Sequence, residues 1–277
     1  MLKQRLVTAI IMALLLVGGI VLLAPVGLAV LFGVLVLVAA WEWSAMAGLS
    51  SRLAKVGFTF STLCLLALVA WHTQLLTDLI NLNRVRDVLG LACLWWSIAL
   101  LWVKSYPASA IIWKSVAARI LMGWLTLVPA WLALVYLRMH VNGIALIVLL
   151  LAIVATADIG AYFSGRAWGK SKLAAEVSPG KSWAGFWGGL VATITLVAVL
   201  WWLLDDARHG LVPVLVVALL TSLASVLGDL LESMVKRHQG LKDSGRILPG
   251  HGGLMDRLDS MTAAAPVFAL SLILMGW

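Results

Sequence analysis

The feature that most constrains this chain is the length of its apolar runs. Hydropathy marks nine stretches of about the length a helix needs to cross a bilayer, ~20 residues. They run roughly Leu6–Ala24, Val26–Met46, Val56–Leu76, Val88–Val103, Ile120–Leu137, Ile144–Phe163, Gly185–Leu204, Leu211–Gly228 and Ser260–Met275. A 277-residue chain in which 63% of residues are hydrophobic and 12% charged cannot bury that much apolar surface in a water-soluble globule. Soluble, disordered, fibrous and disulfide-scaffold classes are excluded. The expected fold is an all-α polytopic integral membrane protein with about nine transmembrane helices. Within it, residues 1–140 supply about five N-terminal spans. Residues 141–277 are expected to form a C-terminal membrane domain with loops 158–184 and 229–259. Cys64 and Cys93 lie in separate apolar runs and are expected to be core packing.

Charge orients the chain. With the N-terminus in the cytoplasm, sixteen Lys and Arg fall in inner loops, and only Arg84, Arg86, Arg138 and Arg208 fall outside. That is the positive-inside bias, and nine spans then place Trp277 on the outer side. The net charge of +8 is thereby explained by basic loops against anionic lipid rather than by nucleic acid. Lys3 and Arg5 before an apolar run mimic a signal peptide, but the run continues past Pro25, so an uncleaved first helix is expected. The fifteen tryptophans sit largely near span ends, as interfacial anchors would.

The acidic residues are concentrated. Asp158, Glu176, Asp229, Glu232, Asp243, Asp256 and Asp259 are seven of the twelve, and all fall in the two C-terminal loops. No helix breaker interrupts Asp229–Arg237, so the eighth span should continue and set Asp229, Ser233 and Lys236 on one face. Asp256 and Asp259 share a face at the start of the ninth. Between them lies Pro249-Gly250-His251-Gly252-Gly253, a hinge whose glycines let backbone approach a ligand. Clustered carboxylates repel unless a cation lies between them. Mg²⁺ takes a few carboxylates and completes its shell with water and phosphate oxygens. With Lys236, Arg237, Lys242, Arg246 and Arg257 interleaved, the pattern suits metal-assisted phosphoryl or nucleotidyl transfer. His251 is either a metal or phosphate ligand or a structural loop residue.

The first loop adds Asp158, near the inner end of an apolar span, where an ionisable residue is a functional candidate. Gly180-Lys181-Ser182 resembles the end of a phosphate-binding loop. The full pattern needs Gly where Ala175 stands and a strand before it, and the sequence offers neither. Ser178, Lys181 and Ser182 remain donors placed to hold phosphate. Glu42, between Trp41 and Trp43 at the inner end of the second span, is a further candidate. Gly185 and Gly189 form a small-xxx-small step suited to internal helix packing.

The run Ser233-x-x-Lys236-Arg237-x-x-x-x-Lys242-Asp243-Ser244-Gly245-x-x-Leu248-Pro249-Gly250-His251-Gly252-Gly253-x-x-Asp256-Arg257-x-Asp259 resembles the signature of the phosphatidate cytidylyltransferases, or CDP-diacylglycerol synthases. Asp158-x-Gly160-Ala161-Tyr162 and Ser178-Pro179-Gly180-Lys181-Ser182-Trp183 resemble the bacterial branch. Ala184 departs from the Glu or Gln of many relatives. The resemblance implies an Mg²⁺-dependent integral membrane enzyme, often a homodimer, of the bacterial cytoplasmic (inner) membrane. Its partners would be membrane lipid and its substrates CTP and phosphatidate. On this reading Asp229 and Asp256, with Asp259 in support, hold Mg²⁺, with a second cation as an option. Lys236, Arg237, Lys242 and Arg257 neutralise phosphates. Ser178, Lys181 and Ser182 hold either the phosphatidate headgroup or the nucleotide. Asp158 and Asp243 ligate or orient from further out. A polyprenol kinase or CDP-alcohol phosphotransferase is the alternative, though the latter's Asp-Gly-x-x-Ala-Arg pattern is absent. A transporter would need polar residues at mid-membrane depth, which the spans lack.

Overall fold

The computed structural model describes residues 14–75, 77, 80–204, 210–248, 250 and 252–277. Helix α1 covers residues 14–22. It is followed by α2 (Pro25–Met46), α3 (Arg52–Thr73), α4 (Leu82–Lys104), the short α5 (Ala110–Trp113), α6 (Val116–Met139) and α7 (Gly143–Trp168). A hairpin of β1 (Lys172–Ala174) and β2 (Ser178–Ser182) leads to α8 (Trp183–Leu204), α9 (Leu211–His238) and α10 (Met255–Leu274). Eight of these helices, 20 to 28 residues each, are long and apolar enough to cross a membrane. The architecture is that of an all-α polytopic membrane protein. The first expected span, Leu6–Ala24, begins outside the described residues.

Local chemistry sets the ends of the helices. Pro25 starts α2 at its first helical position, where its missing N–H costs nothing. Ser51, Asn81 and Ser115 cap α3, α4 and α6 by accepting the N–H three residues on. The Asn81 cap explains why the fourth span is longer than expected. Its first turns carry Arg84, Arg86 and Asp87, which lower hydropathy without stopping a helix. α9 runs on past the apolar zone to His238 and stops where Gly240 takes φ +68°, a left-handed conformation that favours glycine.

Small residues decide how the helices meet. α7 and α8 pack closely along Gly160, Gly185, Gly188 and Gly189. A Cβ on Gly160 would lie 2.7 Å from the Ala192 Cβ, and one on Gly185 2.9 Å from the Ala161 carbonyl. The Gly185–Gly189 step is thus an internal seam. α6 packs between α2 and α10, and α10 against α9.

Two expectations need correction. Trp43, Trp95, Trp96, Trp113 and Trp131 are buried between helices rather than set at an interface. Three of them give their indole N–H to partners on other helices: Trp43 to the Arg119 carbonyl, Trp95 to Thr126 and Trp131 to the Ala29 carbonyl. A buried indole with an acceptor is a stable core residue, and sequence position alone does not reveal the acceptor. Cys64 is exposed rather than in the core, because α3 lies at the perimeter and buries only Phe58, Thr62, Leu66 and Thr73.

Candidate active site

The two C-terminal loops come together at one end of the bundle. The close α7–α8 seam carries the β-hairpin to the side of α9. There the Lys181 ammonium lies 2.6 Å from Asp229 Oδ2. Ser233, one turn along, donates to Asp229 Oδ1 at 3.2 Å, as the helical spacing requires. Asp158, on α7, is an electrostatic neighbour of both Lys181 and Asp229. Gly228 brings α10 in: a Cβ there would collide with the Asp259 carbonyl oxygen and sit 3.2 Å from the Ser260 Cα. Without it, Asp259 approaches Asp229 and Glu232.

Lys236 is the hub of the second half. Its ammonium meets Glu232 at 3.0 Å and Asp256 at 2.6 Å, with all three side chains close to fully buried. Asp256 also accepts the Ser244 N–H on both oxygens (3.1 and 3.0 Å) and the Gly253 N–H at 2.8 Å. Three donors thus hold the carboxylate, with the Ser244 N–H shared between its two oxygens. It both closes the loop and caps α10, whose N-cap residue Leu254 has no side-chain acceptor. The loop's other anchor is Glu42 of α2, which accepts the Met255 N–H at 2.8 Å and the Ser244 hydroxyl at 3.2 Å.

Asp158, Lys181, Asp229, Lys236, Asp256 and Asp259 are thus assembled around one another. Ser182 is buried beside them and accepts the Gly185 N–H at 3.1 Å, capping α8. Ser178 is half-buried at the start of β2, at the far end of the hairpin ladder from Ser182. Lys242, Asp243, Arg246 and Arg257 are exposed. Arg237 turns to the Leu241 carbonyl, 3.0 Å away, and closes the end of α9. His251, with Pro249, lies outside the described residues. Glu232 received no role from the sequence, although its position four residues before Lys236 on one helix face is the signal that marks it. The expectation that no strand precedes Ala175 is corrected, since β1 (Lys172–Ala174) ends directly before it, and Gly180-Lys181-Ser182 form the end of β2 and lead into α8. Five residues carrying Pro179 and no apolar alternation give no strand signal. Ala175 sits in the exposed hairpin turn, so no phosphate-binding loop of the usual form results.

Beside Lys181 and Asp158 opens a cavity of about 380 Å³ between α7, α8 and α9. Arg166, Lys181 and Asp158 line its polar side, and Phe186, Leu190 and Leu223 its apolar wall. Such a cavity accepts a molecule with an anionic head and a greasy body.

The donors fit Mg²⁺ in kind. They are carboxylate oxygens, and among the described residues Oε1 of the buried Glu232 has no hydrogen-bond donor. Among the described residues no three His, Cys, Asp or Glu side chains converge as a complete metal cage. Mg²⁺ does not require one, because one or two carboxylates with water and substrate phosphate suffice.

This end of the bundle has the makings of a phosphate-handling site: anion-binding cations, hard oxygen donors and an amphiphilic cavity. Comparison with known proteins gives the class. Residues 3–275 match the model of the Cytidylyltransferase family, and the chain belongs to that family. The phosphatidate cytidylyltransferase of Pseudomonas aeruginosa is 41% identical over 277 residues, covering 100% of this chain and 99% of that protein. The enzyme of the same name from Haemophilus influenzae is 37% identical over 285 residues, covering 97% and 98%. That of Brucella melitensis is 51% identical over a shorter 131 residues, 46% of this chain.

Proposed function

We propose that this protein makes CDP-diacylglycerol and pyrophosphate from CTP and phosphatidate, a step of phospholipid biosynthesis. The observation that carries the reading is the meeting of Lys181 and Asp229 beside a cavity that is polar at one side and apolar along its wall. The lipid phosphate attacks the α-phosphate of CTP in line, and pyrophosphate leaves. A phosphomonoester is already anionic at neutral pH, so no activated side-chain nucleophile is needed. The barrier is repulsion between two anions and the charge building on the leaving group, and fixed cations and positioning lower it.

Each residue's part follows from its place. Lys181 and Arg166, beside the cavity, neutralise a phosphate that enters there. Lys236, held between Glu232 and Asp256, is a preset cation for the triphosphate. Asp229 and Asp259, and Asp256 on release of Lys236, are the residues that would hold Mg²⁺. When bound, Mg²⁺ supplies charge neutralisation on the triphosphate. Lys242, Asp243, Arg246 and Arg257 are exposed on the α9–α10 loop and the first turn of α10, and they are the groups that would meet arriving CTP. The lopsided Lys and Arg distribution supports a cytoplasmic-facing site in the bacterial inner membrane, and the family resemblance supports a homodimer.

The test is CMP transfer by the purified protein in detergent, with phosphatidate, Mg²⁺ and CTP labelled at the α-phosphate, beside Asp256→Asn. The expected result is labelled CDP-diacylglycerol from the wild type and at least ~100-fold less from the variant. No lipid label from folded wild type refutes the reading. Lipid label seen only when the CTP carries it at the γ-phosphate would identify a lipid kinase.

A further inference from the structure

Glu42 is the one charged residue of α2 and is 3% exposed. Burying a carboxylate is costly unless hydrogen bonds compensate. Its hydrogen bonds among the described residues go to the loop between α9 and α10 and to the first residue of α10, more than 200 positions away in sequence. Oε2 accepts the Met255 N–H at 2.8 Å and the Ser244 hydroxyl at 3.2 Å, and Oε1 has no partner there. The loop is shaped around this carboxylate. A Cβ on Gly245 would collide with Oε1, and one on Gly253 would lie 2.6 Å from Oε2. The anionic group also sits against the first N–H of α10, where a helix N-terminus favours negative charge.

What Glu42 holds is one residue removed from the site. Ser244, whose hydroxyl it takes, presents its own N–H to both oxygens of Asp256 and accepts the Asp256 N–H at 3.3 Å. Asp256 in turn fixes the Lys236 ammonium at 2.6 Å. Resting on the function proposed above, we propose that Glu42 is a positioning residue: through Ser244 and the first turn of α10 it sets where Asp256 and Lys236 stand. The N-terminal helices thereby supply a part of the site without touching substrate.

The experiment compares wild type with Glu42→Gln, Glu42→Leu and Ser244→Ala in detergent. Gln fills the space between the two glycines and keeps an acceptor, so it remains informative where Leu fails to fold. The first readout, hydrogen–deuterium exchange, needs no activity. Peptides covering residues 243–256 should exchange roughly tenfold faster in Glu42→Leu, with α7 and α8 unchanged. The second is kinetic: kcat for CMP transfer, per folded molecule, should fall roughly 10- to 100-fold with KM for CTP held within about threefold. Glu42→Gln should fall between wild type and Leu, and Ser244→Ala combined with Glu42→Leu should be less than multiplicative. Unchanged exchange overturns the proposal. So does faster exchange with kcat intact, which would make Glu42 a structural clamp alone. A wild type that transfers no CMP refutes the proposed function, and the exchange data then still decide whether Glu42 orders the Asp256 loop.

Discussion

Removing the ammonium of Lys236 should destabilise the protein far more than removing the whole charge pair. Lys236 stands 3.0 Å from Glu232 and 2.6 Å from Asp256, with side-chain exposures of 8%, 1% and 11%. In Lys236→Met, Asp256 keeps its bonds from Ser244 and Gly253, but Glu232 loses the cation facing it. Truncating one partner of a buried pair costs about 3–5 kcal/mol, whereas replacing both with neutral groups is often close to neutral. Lys236→Met should therefore lose about 3–5 kcal/mol, a shift of roughly two to three and a half orders of magnitude in the folding equilibrium. Adding Glu232→Gln should bring the protein back to within about 1–2 kcal/mol of wild type. The assay is unfolding by denaturing detergent in mixed micelles, followed by fluorescence of the fifteen tryptophans. A cost below about 1 kcal/mol for Lys236→Met, or a double variant no better than the single, would refute the reasoning, because Glu232 would then not depend on that cation.

Lys181→Ala should do the reverse. Lys181 and Asp229 are each about a quarter exposed, so stability should change by no more than about 1 kcal/mol, while steady-state CMP transfer falls roughly a hundredfold. Gly189→Val should weaken the α7–α8 seam by about 1–3 kcal/mol in the same unfolding assay, because even a Cβ there would lie 2.5 Å from the Ala157 carbonyl. The contrasting Gly57→Ala meets nothing within 4 Å inside α3 and should stabilise by up to ~1 kcal/mol. Chelation by EDTA should abolish CMP transfer, and Mg²⁺ in excess should restore it. Transfer that survives exhaustive chelation would remove the metal from the mechanism.

The sequence by itself determined the membrane class, the continuation of α9 through Lys236 and the acid–base character of the site. These follow from local properties: apolar run length, helical spacing, absence of a breaker before Gly240. It also sufficed for the resemblance, because the motif residues from Ser233 to Asp259 are contiguous. Only the tertiary structure decided which charges meet. Lys181 and Asp229 are 48 positions apart and belong to separate motifs, and their contact depends on the glycine seam that brings α7 and α8 together. The same holds for Glu232, whose i,i+4 partner was legible but whose burial was not. Glu42 is the clearest case. An acid flanked by two tryptophans shows a site candidate at most, and its partners, Ser244 and Met255, are set by how α2, α6 and α10 pack. The division has a physical reason. Helix formation and hydropathy are decided within tens of residues, while the position of a buried charge is decided by whichever distant donors the packing brings within about 3 Å.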